Sequence, residues 1–253
     1  MIVLILKSLI NSIGIMTLLA FLMSKTNIFK KIIIEEDAGL VGKILLALVF
    51  GLYGIMGTYT GIEIQGALAN TRVIGVFVGG LLGGPLVGLL SGLIAGIHRY
   101  GIEPGGFTAL ACAVATVVEG SLGGFLKHSL DKSKNRARFA LYTGMLAEVV
   151  QMAIILLIAR PLQDAVSLVK VIGIPMIITN GIGISILTGL IDNIFSEIEM
   201  IASYQARLSL KIANKTLVHL RKGLNEETAY ETAKIIKEMT GVKAVAFTSS
   251  NKI

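Results

Sequence analysis

The sequence predicts an all-α polytopic membrane protein of about six to seven transmembrane helical segments, including a short Gly-Pro helical hairpin, followed by a cytoplasmic coiled-coil helix. Three observations predict it. Of 253 residues, 54% are hydrophobic and only 15% charged, and several apolar runs reach the ~20 residues that cross a hydrocarbon core as helix. The positive charge is clustered: residues 127–138 hold five basic residues and one acid, and the chain after Ser203 holds nine basic residues and four acids. Such clusters beside apolar spans mark cytoplasmic loops. Finally, Ile191, Ile194, Ile198, Ile201, Gln205, Leu208 and Ile212 follow a 3-4 spacing, a seven-residue repeat that continues beyond the last apolar run.

The first run, residues 2–23, lacks a basic leader and a small-x-small cleavage site, so an uncleaved span is expected over 1–25. Lys25, Lys30 and Lys31 follow, then Glu35, Glu36 and Asp37, and a second run covers 40–57. Further runs cover 106–126, 139–159 and 169–191, the last expected to bend at Pro175, Gly181 and Gly183. All are read as helices, because lipid offers backbone groups no other partner on an unclosed chain. A membrane domain is therefore assigned to 40–191 and a cytoplasmic coiled-coil helix to 192–222. The repeat suits a parallel homodimer with Gln205 as a polar seam residue; a helix packing on its own protein is the alternative. In 223–253, Asn225 caps a helix with Glu226 and Glu227 in its first turn, Ala229, Ala233, Ile236 and Met239 form its apolar face, and a strand is expected at 242–247. Helix and strand together read as the truncated start of a further domain.

The stretch between Arg72 and Arg99 contains 26 residues, no charge and eight glycines. Pro85 removes a backbone donor, and the glycines around it lower helix propensity. Glycines 75, 79 and 83 form one four-residue ladder and 84, 88, 92 and 96 another, shifted by one. The phase shift predicts two short helices turning at Gly84-Pro85, which brings both arginines to one end. The hairpin also places Lys25, Lys30 and Lys31 inside and the arginines outside, in keeping with the positive-inside tendency. Arg72 and Arg99 are then candidates to grip a small carboxylate, with simple snorkelling to headgroups as the alternative. Gly105 and Gly106 are expected to open the next helix, whose free N–H groups favour an anion. Thr108 and Cys112 share one face of that helix, Cys112 serving equally well as a small packing residue. Glu119, Glu148 and Asn180 fall inside spans: either protonated acids bonded between helices or, with Gln205, signal-coupling groups.

Other chemistry is excluded. The single cysteine rules out an internal disulfide, and three scattered histidines give no metal-ligand spacing. No catalytic, metal or cofactor motif is found. A net charge of +7 placed at span ends argues for a lipid bilayer and against nucleic acid.

The stretch "NTRVIGVFVGGLLGGPLVGLLSGLIAGIHRY", with "GGFTALAC" and "GGFL", resembles the five-transmembrane receptor domain of LytS-type sensors. The tail "LVHLRKGLNEETAYETAKIIKEMTGVKAVAFTSS" is similar to the start of the GAF domain that follows it there. The resemblance implies the sensor module of a two-component histidine kinase in the bacterial plasma membrane, with a cytoplasmic C-terminus and no enzyme activity in the chain itself. It implies a LytTR-type response regulator reached through a kinase core, control of the cell wall, and response to external pyruvate. It places Arg72, Arg99 and Cys112 against such a ligand; Ala113, Val114 and Ala115 stand where some relatives carry a neighbouring serine. In some relatives a diguanylate cyclase replaces the kinase. A different class, a small-solute transport subunit resembling energy-coupling-factor substrate-binding components, accounts for the arginines but not for the seven-residue repeat.

Overall fold

A computed structural model of the chain describes residues 2–26, 39–223 and 225–247. Lys30, Lys31, Glu35, Glu36 and Asp37, and the tail from 248 onward, lie outside the described residues. The helices are α1 (Ile2–Ser24), α2 (Gly39–Tyr59), α3 (Arg72–Gly83), α4 (Pro85–Ile102), α5 (Ala109–Asp131), α6 (Arg136–Ile158), α7 (Leu162–Leu220) and α8 (Glu226–Thr240). Among the described residues, six are long and apolar enough to cross a membrane, and α3 is a shorter apolar helix. This is the expected polytopic all-α architecture. Large apolar side chains such as Val3, Ile97, Phe125, Leu157 and Ile174 point outward, as a surface solvated by lipid requires.

The Gly-Pro hairpin forms. Gly84 ends α3 with φ +84°, a conformation that glycine adopts without a Cβ penalty, and Pro85 takes the first position of α4, where its missing N–H costs nothing. Helix α3 is buried around its circumference from Arg72 to Leu81 and packs against α2, α4 and α5. The glycine ladders explain how helices come so close. A Cβ on Gly75 would lie 2.5 Å from the backbone nitrogen of Gly54 in α2, and one on Gly88 would strike the Gly120 carbonyl of α5. Backbone-to-backbone approach of this kind supplies dispersion contacts where lipid provides no hydrophobic drive.

Helix α1 buries a stripe of Ile5, Leu9, Ile13, Met16 and Ala20. Two side-chain bonds hold it: Tyr53 Oη donates to the Met16 carbonyl at 2.5 Å and Ser12 Oγ to the Thr60 carbonyl at 2.6 Å. The chain divides into two compact units, Met1–Ile194 and Phe195–Ile253, with α7 running through the boundary as one 59-residue helix. Pro175 sits inside α7 without ending it. In the second unit α8 has the expected Asn225 cap, closed as a box by Thr228, and Gly241 ends it in the left-handed conformation.

Three expectations need correction. A two-stranded antiparallel ribbon, β1 (Ile62–Ile64) with β2 (Ala67–Ala69), interrupts the helices. Its two-residue turn has positive φ at Gln65 and Gly66, which matches strand twist. The ribbon satisfies its own backbone groups, so a short non-helical piece is tolerated there. The strand expected at 242–247 does not form among the described residues, because a strand exists only as a paired element. Finally, α5 begins at Ala109, not at Gly106. Gly105 has φ +80° and the Gly106 N–H bonds back to the Glu103 carbonyl at 3.0 Å, so both glycines belong to the preceding turn.

Candidate functional site

Arg72 and Arg99 head the fully buried side chains by volume, at 1% and 0% exposure. Snorkelling to the headgroups is therefore ruled out for both. The antiparallel α3–α4 hairpin puts the first residue of α3 beside the last turn of α4. Asn70, at the end of the ribbon, fixes the start of α3 by accepting from the Arg72 backbone N–H at 3.1 Å.

The two guanidinium groups are only partly satisfied. Arg72 Nε donates to Thr116 Oγ1 at 2.7 Å and Nη1 to Thr58 Oγ1 at 3.4 Å. The Thr116 hydroxyl gives its own proton to the Cys112 carbonyl at 2.7 Å, which leaves its lone pairs for Arg72. Cys112, Glu119 and Arg99 also face the Arg72 guanidinium. Arg99 Nη2 is shared between Glu103 Oε2 at 3.4 Å and Thr108 Oγ1 at 3.5 Å. Arg72 Nη2, Arg99 Nε and Arg99 Nη1 have no hydrogen-bond partner among the described residues. A buried unsatisfied donor costs about 1–3 kcal/mol, and more when charged. Three such positions on two planar forks are charged donors that the acceptor oxygens of an anion can satisfy.

The predicted residues divide into two groups. Arg72, Arg99, Thr108 and Cys112 come together, with Thr108 buried immediately before α5 and Cys112 buried one turn further. Gly105 and Gly106 supply no helix N-terminus. Glu148 and Asn180 meet: Asn180 Nδ2 donates to Glu148 Oε1 at 2.6 Å and to the Asn70 carbonyl at 3.0 Å. The pair therefore touches the segment that positions Arg72. Gln205 is exposed and belongs to the second unit. Along the expected seam, Ile191 and Ile194 are buried, Ile198, Leu208 and Ile212 half-buried, and Ile201 exposed.

Sequence reasoning missed Thr58, Asn70 and Thr116. Thr116 had a readable signal, since 108, 112 and 116 share one helical face and Glu119 extends it. Thr58 and Asn70 had none, because they come from other elements. A cavity of about 990 Å³ lined by Val3, Lys7, Asn11 and Ile62 among others shares no residue with the arginines; it is an outer groove of α1.

Comparison with known proteins agrees with this architecture. The family described as 5TMR of 5TMR-LYT matches residues 26–194. The chain is 38% identical over 262 residues to "Sensor protein LytS" of Bacillus subtilis (strain 168), covering 96% of this chain and 44% of the relative. It is 40% identical over 252 residues to "Sensor histidine kinase BtsS" of Escherichia coli (strain K12), covering 97% and 44%. With "Sensor protein LytS" of Staphylococcus epidermidis the identity is 32% over 263 residues, covering 97% and 44%. The chain thus spans less than half the length of these relatives. No solved structure matches it.

Proposed function

This chain belongs to the 5TMR-LYT family of five-transmembrane receptors, and from that premise we propose that it is the sensing module of a LytS-type histidine kinase. In this reading a small external carboxylate of pyruvate size binds between Arg72 and Arg99. One observation carries it: two adjacent, fully buried guanidinium groups present three N–H-bearing nitrogens without partners among the described residues. Arginines inside a membrane protein are costly and mark functional sites, and these nitrogens still have donors to give. Thr108 and Cys112 line the same place on α5, and the relatives are sensors by name.

The signal leaves through α7. A ligand shifts a receptor only by binding its two states unequally. Here the arginines touch α5, and Asn70 touches both Arg72 and Asn180 of α7. A change at the anion site therefore reaches α7, whose seam from Ile194 to Ile212 joins two copies as a parallel dimer. A cytoplasmic kinase region and a LytTR-type response regulator take the signal onward, with residues 223–253 as the beginning of a GAF-like domain.

A thermal-shift screen of the purified receptor against pyruvate, lactate, acetate and succinate tests the reading. Stabilisation by a small monocarboxylate, lost in Arg72→Ala and in Arg99→Ala, is expected. Stabilisation that persists in both variants would reduce the arginines to structural groups. Solute accumulation in vesicles containing the protein would point to transport instead.

A further inference from the structure

Beside Arg72 lies a run of buried oxygen atoms that receive no hydrogen bond. Glu119 Oε1 and Oε2, Glu148 Oε2 and Asn180 Oδ1 have no hydrogen-bond partner among the described residues, and all three side chains are fully buried. Glu148 uses its other oxygen to accept from Asn180 at 2.6 Å. The ionisable groups facing this cluster are few. Arg72 of α3 faces both carboxyls, Cys112 of α5 faces Glu119, and Glu119 faces Glu148 across α5 and α6. Arg99 and His98 of α4 both face Arg72, and Arg99 carries its own counter-charge in Glu103 at 3.4 Å. Helix α7 contributes Asn180, which is neutral.

Charge balance decides the protonation of the pair. A buried carboxylate without compensation costs several kcal/mol. Arg72 brings one positive charge, enough for one of the two glutamates. A carboxylic acid also supplies the O–H donor that this run of orphan acceptors lacks. We propose that Glu119 and Glu148 share one proton in the ligand-free receptor and take up a second when a carboxylate binds at the arginines, so that the site recognises an anion and a proton together. The inference rests on the carboxylate reading given above. The bound anion takes over the compensation of Arg72, the ionised glutamate is left unbalanced, and a proton from water adds to it. One negative and one positive charge enter, and the buried charge is unchanged.

The full receptor in lipid nanodiscs, titrated calorimetrically with pyruvate in buffers of different ionisation heat, reports the protons taken up. The expected result is about one proton per bound anion, with affinity rising about tenfold for each pH unit lowered. Binding with no proton uptake would overturn this inference and leave the carboxylate reading standing. Absence of pyruvate binding would overturn both. Affinity that follows sodium concentration and ignores pH would replace the proton by a metal cation and so overturn the inference. The infrared spectrum provides a ligand-independent readout. The ligand-free receptor should show the carbonyl band of one protonated carboxylic acid, absent in Glu119→Gln and in Glu148→Gln alike. In the double variant binding should become independent of pH. A ligand-free spectrum without a protonated-acid band sensitive to these changes would sink the shared proton.

Discussion

At the residue scale, the site is a matter of which polar atoms remain unpaired. Arg72 depends on Thr116, whose hydroxyl is oriented by the Cys112 carbonyl. Thr116→Val keeps the shape and removes the acceptor, leaving the Arg72 Nε–H unpaired and the guanidinium free to rotate. Hydrogen bonds to charged groups contribute about 1.5–3 kcal/mol, so anion affinity should fall roughly ten- to a hundredfold. Arg72→Lys should recover little, because an ammonium cannot donate at once toward Thr116, Thr58 and an anion as the planar fork does. Titration of both variants with pyruvate checks this; wild-type affinity in Arg72→Lys would show that only the charge matters. The arginine pair could be read from the sequence because a turn at Gly84-Pro85 leaves both at one end. Their hydroxyl partners could not, since Thr58, Thr108 and Thr116 look like many other threonines until the helices are placed.

At the scale of elements, glycine spacing and backbone approach are two aspects of one fact. The 84-88-92-96 ladder gives α4 a side-chain-free face against α5, where a Cβ on Gly88 would meet the Gly120 carbonyl and one on Gly92 would lie 2.9 Å from the Val117 Cα. Gly88→Ala should therefore lower the melting temperature, since overpacking at a closed contact costs about 1–3 kcal/mol. Gly14 of α1 has no atom within 4 Å of an added Cβ. Gly14→Ala should leave stability unchanged or raise it, because alanine is the better helix former by about 1 kcal/mol. Thermal denaturation in one detergent compares the two; equal losses would mean that the ladder has no special part in packing. A second element-level contact lies where α7 leaves the membrane domain. Arg136 at the start of α6 reaches Asp192 at 3.1 Å and Asp131 of α5 at 3.4 Å. The pairs are partly exposed, so their contribution to stability is small, but they tie the end of α5 and the start of α6 to the middle of α7.

At the scale of the whole molecule, the testable properties are orientation and assembly. Cysteines placed at the exposed positions Glu63 and Gly101, in a Cys112→Ala background, should both be labelled from outside intact cells by an impermeant reagent. One at Lys134 should not. Opposite labelling of 63 and 101 would contradict the hairpin in the cell, and labelling of 134 would invert the orientation. For assembly, cysteines at Ile201, Leu208 or Ile212 should crosslink two copies more strongly than those at Ser203 or Ser209, and pyruvate should alter the pattern. A flat profile along α7 would exclude the parallel seam. The sequence by itself determined the membrane class, the order of the apolar helices and their number to within one, the turn at Gly84-Pro85 and the capped helix after Asn225. Each depends on composition or on neighbours within a few residues, where hydropathy, proline geometry and capping act directly. Only the tertiary structure decided that the arginines are buried and not at the lipid surface, that Thr58 and Thr116 receive Arg72, and that Glu148 meets Asn180 and, through it, Asn70. The ribbon at 62–69 and the start of α5 at Ala109 also emerged there. These contacts depend on the rotation and depth of each helix against the others, set jointly by many small packing terms that no local pattern encodes.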